Sequence, residues 1–168
     1  MPDCALETDR FILRPIQDSD AELLFPITSD PNVTRYLRFF AHKNISDTLS
    51  LIQEYKEHGD HCYCVIEKGT NSFVGVFCLK IDPEDSDNFY LQYYCGSQYW
   101  NKGINSELIK YFVENSKRFY GIKTLTSTIA DPNIGSIRVV EKNGFTLDKK
   151  IPSRRNPDIQ VLFYKIVL

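Results

Sequence analysis

The sequence predicts an α/β protein in which helices flank a mixed central sheet. Strand-like runs of alternating or continuous apolar residues are bounded by turn residues such as Gly, Pro, Asn and Asp. Other runs carry apolar residues at helical spacing and begin at residues that cap helices. The order along the chain is strand, helices, three antiparallel strands, helix, strand, helix and two strands. That order is typical of a mixed sheet.

The first third of the chain is predicted to form one strand and then helices. The run 10–16 alternates as a strand does, and Asp18 is placed to cap the helix that follows. The apolar positions of that helix are Ala21, Leu23, Leu24 and Ile27. Ser46 or Asp47 is predicted to cap a longer helix, which Gly59 ends.

The rest of the chain continues with strands and two amphipathic helices. The predicted strands cover 61–67, 72–81, 88–95, 124–130, 145–151 and 158–168. The first helix starts near Gly103 and stops at Gly121. The second runs from Asn133 to Asn143, with a predicted buried stripe of Ile134, Ile137 and Val140.

Length and composition favour one globular domain over residues 1–168. Hydrophobic residues make up 42 % of the chain and charged residues 25 %, which argues against disorder. The net charge of −2, without a basic stripe, favours neither nucleic acid nor an anionic membrane surface as a direct partner. No apolar run reaches the roughly 18 residues of a membrane helix, and the start lacks a signal-peptide pattern. We therefore expect a cytoplasmic protein.

The five cysteines predict neither a disulfide framework nor a metal site. Their odd number in a chain expected in the cytoplasm argues against structural disulfides. Cys62 and Cys64 share a strand-like run, and no second Cys/His pair stands nearby in the sequence. Buried strand cysteines are the better interpretation.

The stretch 98–112 combines a strand end, a short loop and a helix start. Amide groups in the first turn of a helix have no partner within the helix, and the helix dipole favours an anion there. Gly103 allows a close backbone approach, and Lys102 adds a positive charge. This arrangement suits a pyrophosphate. On this stretch alone, an ordinary helix start with a convenient glycine is the better interpretation.

Two further stretches change that balance by their resemblance to a known family. The pattern Asn-x-x-Ser-x-Arg-x-x-Glu-Lys-x-Gly-Phe at 133–145 resembles the second acetyl-CoA motif of the GNAT N-acetyltransferases. Tyr-Trp-x-Lys-Gly at 99–103 resembles their pyrophosphate loop. The opening TDRFILRPIQDSDAELLF at 8–25 resembles that of one branch of the family, the RimJ/RimL-like protein acetyltransferases.

The resemblance implies acetyl-CoA as co-substrate, held in an opening between two splayed strands, 88–95 and 124–130. Backbone groups around Tyr94 and Cys95 are then expected to pair with the pantetheine arm. Asn133 is expected to reach the pantetheine or the adjoining phosphate, or to act only as a helix cap. The residues expected to hold the pyrophosphate through their amides are Trp100, Asn101, Lys102, Gly103, Ile104 and Asn105.

Two positions of the loop depart from the family pattern, which usually has Gly or Ala where this chain has Asn101 and Asn105. Asn101 is compatible with left-handed backbone. Asn105 is the harder case, because its side chain could crowd a phosphate oxygen or donate to it. We expect weakened or shifted binding of CoA rather than none.

The expected catalytic residues also depart from the pattern. Val140 stands where many members have a tyrosine that protonates the thiolate, which leaves Ser136 as the expected donor. The alternative is that Ser136 is a first-turn serine that only satisfies the helix backbone. Tyr90 stands where many relatives have a glutamate, and it is a poor general base because a tyrosine hydroxyl has a reference pKa of ~10. A water chain to one of three other groups could substitute for it. Those groups are Glu67, Asp82 and His61.

The predicted function is acetyl-CoA-dependent transfer of an acetyl group to a primary amine, with a protein N-terminal α-amine as the first expectation. A backbone N–H near Cys95 is expected to polarise the thioester carbonyl. A small amine or aminoglycoside is the alternative acceptor, and a homodimer remains open. The alternative class is a non-catalytic acyl-CoA-binding or sensor module, suggested by Tyr90, Asn105 and Val140.

Overall fold

A computed structural model describes residues 5–168 of the chain. Its strands form a mixed sheet flanked by helices, as predicted, with five α-helices and eight strands in the described residues; the short strand Leu6–Glu7 was not predicted. The strand order is β1-β2-β3-β4-β5-β6-β8-β7. The strands are β1 Leu6–Glu7, β2 Phe11–Pro15, β3 His61–Glu67, β4 Ser72–Ile81, β5 Asn88–Cys95, β6 Thr124–Ala130, β7 Thr146–Pro152 and β8 Gln160–Val167. The helices are α1 Ala21–Thr28, α2 Pro31–Thr34, α3 Ile45–Glu57, α4 Ile104–Tyr120 and α5 Ile134–Lys142, with 3-10 turns at Asp18–Asp20 and Ser97–Tyr99.

The chain divides into two compact units. The first comprises the described residues up to Ile81 together with Gln92–Ile104, and the second comprises Asp82–Leu91 and Asn105–Leu168. Strand β5 thus contributes its first half to the second unit and its second half to the first unit.

The first unit contains β1 to β4, and each neighbouring pair is antiparallel. Helices α1 and α3 bury one face each in its apolar core. Among the buried core side chains are Leu24, Ile27, Ile52, Tyr55, Cys64, Val76 and Tyr94. Burying a Leu, Ile or Val side chain stabilises a fold by about 1.5–3 kcal/mol, so this core is a major contribution to the stability of the unit.

Two helix starts in the first unit differ from the sequence prediction. The N-cap of α3 is Asn44, whose side chain accepts from the Asp47 amide, while the Asp47 carboxylate accepts from the Asn44 amide. Ser46 lies inside the helix. Asp18 does not cap α1, because a 3-10 turn precedes that helix, and its carboxylate binds Lys56 instead.

The apolar face of α1 also differs in one residue. Its buried positions are Ala21, Leu24, Ile27 and Thr28. Leu23 lies off that stripe at helical spacing and is 51 % exposed.

The cysteine prediction was wrong for one pair. Cys62 and Cys78 face each other in the register of β3 and β4, and a disulfide joins them. The odd number of cysteines concealed this pair, because only the strand register determines which cysteines meet. Cys64 is buried in β3, as predicted, and Cys95 is also buried; neither belongs to a disulfide.

The second unit pairs β5 with β6 in parallel and β8 with both β6 and β7 in antiparallel. Its core includes Leu108, Ile109, Phe112, Leu125, Val140 and Phe145. Gly121 and Gly144 follow α4 and α5 with positive φ, as the sequence predicts for helix ends. Of the predicted buried stripe of α5 only Val140 is buried, since Ile137 is half-buried and Ile134 is 51 % exposed. Ile134 is the first residue of α5, where side chains point past the end of the helix.

None of the helices in residues 5–168 is long and apolar enough to cross a membrane.

Candidate functional site

The loop after β5 has the backbone of a tight cradle. A 3-10 turn, Ser97–Tyr99, follows the strand, and α4 begins at Ile104. Asn101 and Gly103 both have left-handed backbone, with φ of 60° and 73°. Asn101 therefore adopts the left-handed conformation with which it was expected to be compatible. Gly103 lacks a Cβ, so a ligand can approach its backbone closely.

Two cations border this loop, and sequence reasoning identified only one of them. The Nζ of Lys102 lies 5.5 Å from the centre of the Tyr99 ring. The Nη1 of Arg10 donates to the Lys102 carbonyl over 3.2 Å, and a Cβ added at Gly103 would lie 3.9 Å from Arg10 Nη2. Arg10 is 92 residues away in the sequence, and a single arginine before a strand carries no signal of its own.

Trp100 is tied to the loop by both its backbone and its side chain. Its amide donates to the Ser97 carbonyl over 3.2 Å. Its indole Nε1 donates to the Cys95 carbonyl over 3.3 Å, although the residue is 44 % exposed. The indole therefore fixes the loop against the end of β5, while the Trp100 amide already has a partner.

The end of β5 is packed very closely against β4 at Gly75. A Cβ built on Gly75 would lie 2.2 Å from the Tyr94 carbonyl oxygen and 2.6 Å from the Cys95 Cα. Only glycine permits that approach. Because Gly75 has no side chain, the backbone of Tyr94 and Cys95, the residues expected to bind pantetheine, can lie this close to β4.

The side chain of Tyr94 belongs to a buried hydroxyl pair. Its oxygen lies 3.2 Å from the Tyr55 oxygen on α3, and Gln92 Nε2 donates to Tyr55 over 3.1 Å. Burial raises the pKa of Tyr94 well above its ordinary value, with a smaller opposing effect of the Tyr55 hydrogen bond. Both tyrosines therefore remain neutral, and they hold β5 to α3.

In the second unit, Asn133 and Ser136 are brought together at the start of α5. Asn133 is the N-cap, and its side-chain oxygen accepts from the Ser136 amide over 3.3 Å. Both residues are half-buried. Val140, one turn further along, is fully buried, so it offers no proton donor there.

The first turn of α4 is anchored to the end of α5. Asn143 Nδ2 donates to Ser106 Oγ over 3.2 Å and to the Val139 carbonyl over 2.8 Å. The neighbouring Asn105 is half-buried. The position of this helix start within the unit is therefore fixed by a side-chain bond.

Tyr90 lies in β5 opposite Thr126 of β6 and is hydrogen-bonded to the Asp82 side chain. The other two candidate bases have different surroundings. Glu67 accepts from the Thr70 hydroxyl over 2.7 Å. His61 lies in β3, where burial lowers its pKa despite the neighbouring Asp60.

Comparisons with known proteins agree with this geometry. A family model described as "Acetyltransferase (GNAT) domain" matches residues 10–146. The chain is similar to the "Uncharacterized N-acetyltransferase YoaA" of Bacillus subtilis, with 28 % identity over 144 residues. The match covers 83 % of this chain and 81 % of that protein.

Solved structures share the fold. The RimL ribosomal L7/L12 alpha-N-protein acetyltransferase in complex with coenzyme A superposes with a TM-score of 0.85 at 17 % identity, over 98 % of both chains. The spermidine N-acetyltransferase from Vibrio cholerae in complex with CoA and spermine superposes with a TM-score of 0.82 at 14 % identity. It covers 95 % of this chain and 96 % of that one.

Proposed function

Because the chain belongs to the GNAT acetyltransferase family, we propose that it transfers the acetyl group of acetyl-CoA to a primary amine. The observation that carries the proposal is the loop after β5. Its backbone is left-handed at Asn101 and Gly103, it runs directly into α4, and Arg10 and Lys102 lie beside it.

The loop suits the pyrophosphate of CoA for three physical reasons. Amides in the first turn of α4 have no hydrogen-bond partners within the helix, so they can donate to a bound anion. The two cations add charge of the opposite sign to phosphate. The amides of Asn101, Lys102, Gly103, Ile104 and Asn105 form the proposed cradle, and Trp100 holds the loop through its indole. Tyr94 and Cys95 supply the backbone groups proposed to pair with the pantetheine arm.

The proposed reaction is attack of a neutral amine on the thioester carbonyl. A backbone N–H near Cys95 polarises the carbonyl oxygen as negative charge develops there. Ser136 then donates a proton to the sulfur, and Asn133 keeps that end of α5 in place. Holding the two reactants together can supply roughly 7–11 kcal/mol of the barrier.

The acceptor is proposed to be a protein N-terminal α-amine. The fold of RimL, an alpha-N-protein acetyltransferase, supports this choice, as does the resemblance of the opening segment to that branch. The spermidine acetyltransferase of the same fold makes a small polyamine the rival acceptor. Cytoplasmic location and a homodimer stay predictions, the second testable by size-exclusion chromatography with light scattering.

Two measurements, made one after the other, test the proposed function. Thermal shift with acetyl-CoA comes first, and we expect a concentration-dependent rise in Tm. Release of free thiol is then followed with hexapeptides that begin with Ala or Ser, with spermidine and with an aminoglycoside. Turnover with the peptides supports the proposal, whereas turnover with spermidine or the aminoglycoside alone changes the acceptor. Binding without any turnover indicates a sensor module, and no binding removes the proposal.

A further inference from the structure

Resting on the proposed function, we propose that Asp82 accepts the proton of the attacking amine through the hydroxyl of Tyr90. Tyr90 touches the substrate amine, and Asp82 acts through it as a positioning and proton-accepting residue. This assigns the base that the sequence left open among three groups.

The hydrogen-bond network around Asp82 lies within one unit and spans two parallel strands. Asp82 accepts from Asn88 Nδ2 over 2.9 Å and is hydrogen-bonded to Tyr90. Asn88 and Tyr90 are two residues apart in β5, so their side chains lie on the same face of the strand. The register of β5 and β6 places Thr124 and Thr126 opposite them.

The threonines hold the orientation of Asn88. Thr124 Oγ1 and Thr126 Oγ1 both donate to Asn88 Oδ1, over 3.0 Å and 2.9 Å. Because its oxygen is occupied by two hydroxyl donors, Asn88 must present its NH₂ group to Asp82. Asn88 is buried, with 3 % exposure, so this arrangement is fixed rather than exchanged with water.

Asp82 is held as a carboxylate. Burial raises its pKa, but hydrogen bonds from Asn88, from the amides of Glu84 and Asp85 and from Tyr90 outweigh burial and lower the pKa below its usual value. A carboxylate can only accept, so Tyr90 donates its hydroxyl proton to Asp82. In the proposed path, the Tyr90 oxygen keeps its lone pairs for accepting a proton from the amine. Asn88 thus orients Asp82, and Asp82 in turn orients the Tyr90 hydroxyl, as a third group commonly orients the base in catalytic pairs.

The proton transfer balances as follows. The nitrogen lone pair forms the bond to the acetyl carbon, and the nitrogen becomes cationic and hence strongly acidic. Its N–H proton passes to the Tyr90 oxygen while the Tyr90 hydroxyl proton passes to Asp82. The carbon–sulfur bond breaks, and the thiolate takes a proton from Ser136, which solvent replaces. Asp82, only partly buried, returns its proton to solvent.

The other two candidate bases have different surroundings. The Glu67 carboxylate accepts from Thr70 at the turn between β3 and β4. His61 is the first residue of β3 and follows Asp60, whose charge acts on its pKa. The hydrogen bonds of Asp82 to Tyr90 and Asn88 therefore favour Asp82 as the proton acceptor.

The test is a double-mutant cycle on the best acceptor of the panel described above. Asp82→Asn and Tyr90→Phe are each expected to lower kcat by roughly 100-fold, with little change in the KM for acetyl-CoA. The double variant is expected to lose no more than either single variant, because both act in one proton path. Glu84→Gln removes a charge from the same turn and is the control, with kcat unchanged.

A second readout separates the proton path from a structural role. In Asp82→Asn/Tyr90→Glu, a carboxylate at position 90 can take the proton directly, and kcat is expected to recover at least tenfold over Asp82→Asn. A structural role for Asp82 predicts no recovery. Compared with the wild type, the Asp82→Asn variant is expected to show a shifted ¹³Cζ resonance of Tyr90. That resonance is assigned by its loss in Tyr90→Phe.

The outcomes distinguish the two proposals. If the wild type turns over an amine and Asp82→Asn keeps its kcat, the proton path is wrong while the acetyltransferase stands. Additive losses in the double variant also overturn the path. If the wild type binds acetyl-CoA but acetylates no amine of the panel, the proposed function fails, and the path fails with it.

Discussion

Arg10 Nη1 donates to the Lys102 carbonyl over 3.2 Å, and this bond joins the start of β2 to the loop that precedes α4. The bond turns the Lys102 peptide so that its oxygen faces Arg10. It also places a second cation beside Gly103. One side chain thus fixes the loop and contributes to its charge.

Removing Arg10 is expected to weaken acetyl-CoA binding. Arg10→Ala removes a positive charge and a bond to the loop, which together are worth about 1–2 kcal/mol, or roughly 5- to 30-fold in Kd by calorimetry. Arg118→Ala, on exposed α4 surface, is the matched control and should leave Kd unchanged. An unchanged Kd in Arg10→Ala would mean that Arg10 only supports the structure of the loop. Repeating the measurement with dephospho-CoA, which lacks the 3′-phosphate, shows whether Arg10 contacts that phosphate or the pyrophosphate.

Gly103→Val is expected to impair binding much more than Lys102→Ala. A β-branched residue is strained at φ of 73°, and its side chain occupies the space next to the backbone amides. Lys102 contributes only one partly screened charge. Calorimetry with acetyl-CoA measures both, with circular dichroism to verify folding. Parent-like affinity in Gly103→Val would refute the cradle.

Ser136→Ala is expected to lower kcat while the affinity for acetyl-CoA changes little. The Ser136 amide, which Asn133 binds, remains in the variant, so the start of α5 is preserved. The loss tests the hydroxyl as proton donor to sulfur, for which positioned acids contribute roughly 10²-fold or more. Steady-state thiol release measures kcat, and an unchanged value would return Ser136 to a structural role.

Asn105→Ala is expected to tighten acetyl-CoA binding. The half-buried Asn105 side chain stands in the first turn of α4, where a phosphate needs space, and its removal recovers at most roughly 1–3 kcal/mol. Alanine also favours the helix slightly. Calorimetry decides the sign. Looser binding would show that the Asn105 side-chain amide binds a phosphate. The alternative of a non-catalytic acyl-CoA sensor would then lose its main support.

Gly75→Ala is expected to destabilise the protein and to displace the end of β5. The added Cβ would meet the Tyr94 carbonyl at 2.2 Å, and overpacking of this kind costs roughly 1–3 kcal/mol. Urea unfolding should show that loss. Gly69→Ala, where no heavy atom lies within 4 Å of the added Cβ, is the control. An equal effect of both variants would contradict the close-approach argument.

The prediction of the elements from the sequence was most accurate where the pattern is local. The strands 61–67, 72–81, 88–95 and 124–130 have the predicted bounds, because apolar runs end at turn residues that interrupt any strand. The helix stops at Gly121 and Gly144 followed from the same kind of local preference. Errors were concentrated at helix starts, since Asn44, Ser46 and Asp47 stand close together and each is a residue type that can cap a helix. Backbone geometry selected Asn44 over Ser46.

The sequence by itself determined the fold class, the family and the loop expected to hold CoA, because these depend on residue types at fixed spacing. Tertiary structure alone decided which distant residues meet. The register of β3 and β4 joined Cys62 with Cys78, and the packing of two segments brought Arg10 to Lys102. The turn before β5 placed Asp82 beside Tyr90. Spacing along a chain constrains neighbours within a helix or strand, whereas contacts across a sheet depend on register and on close approach.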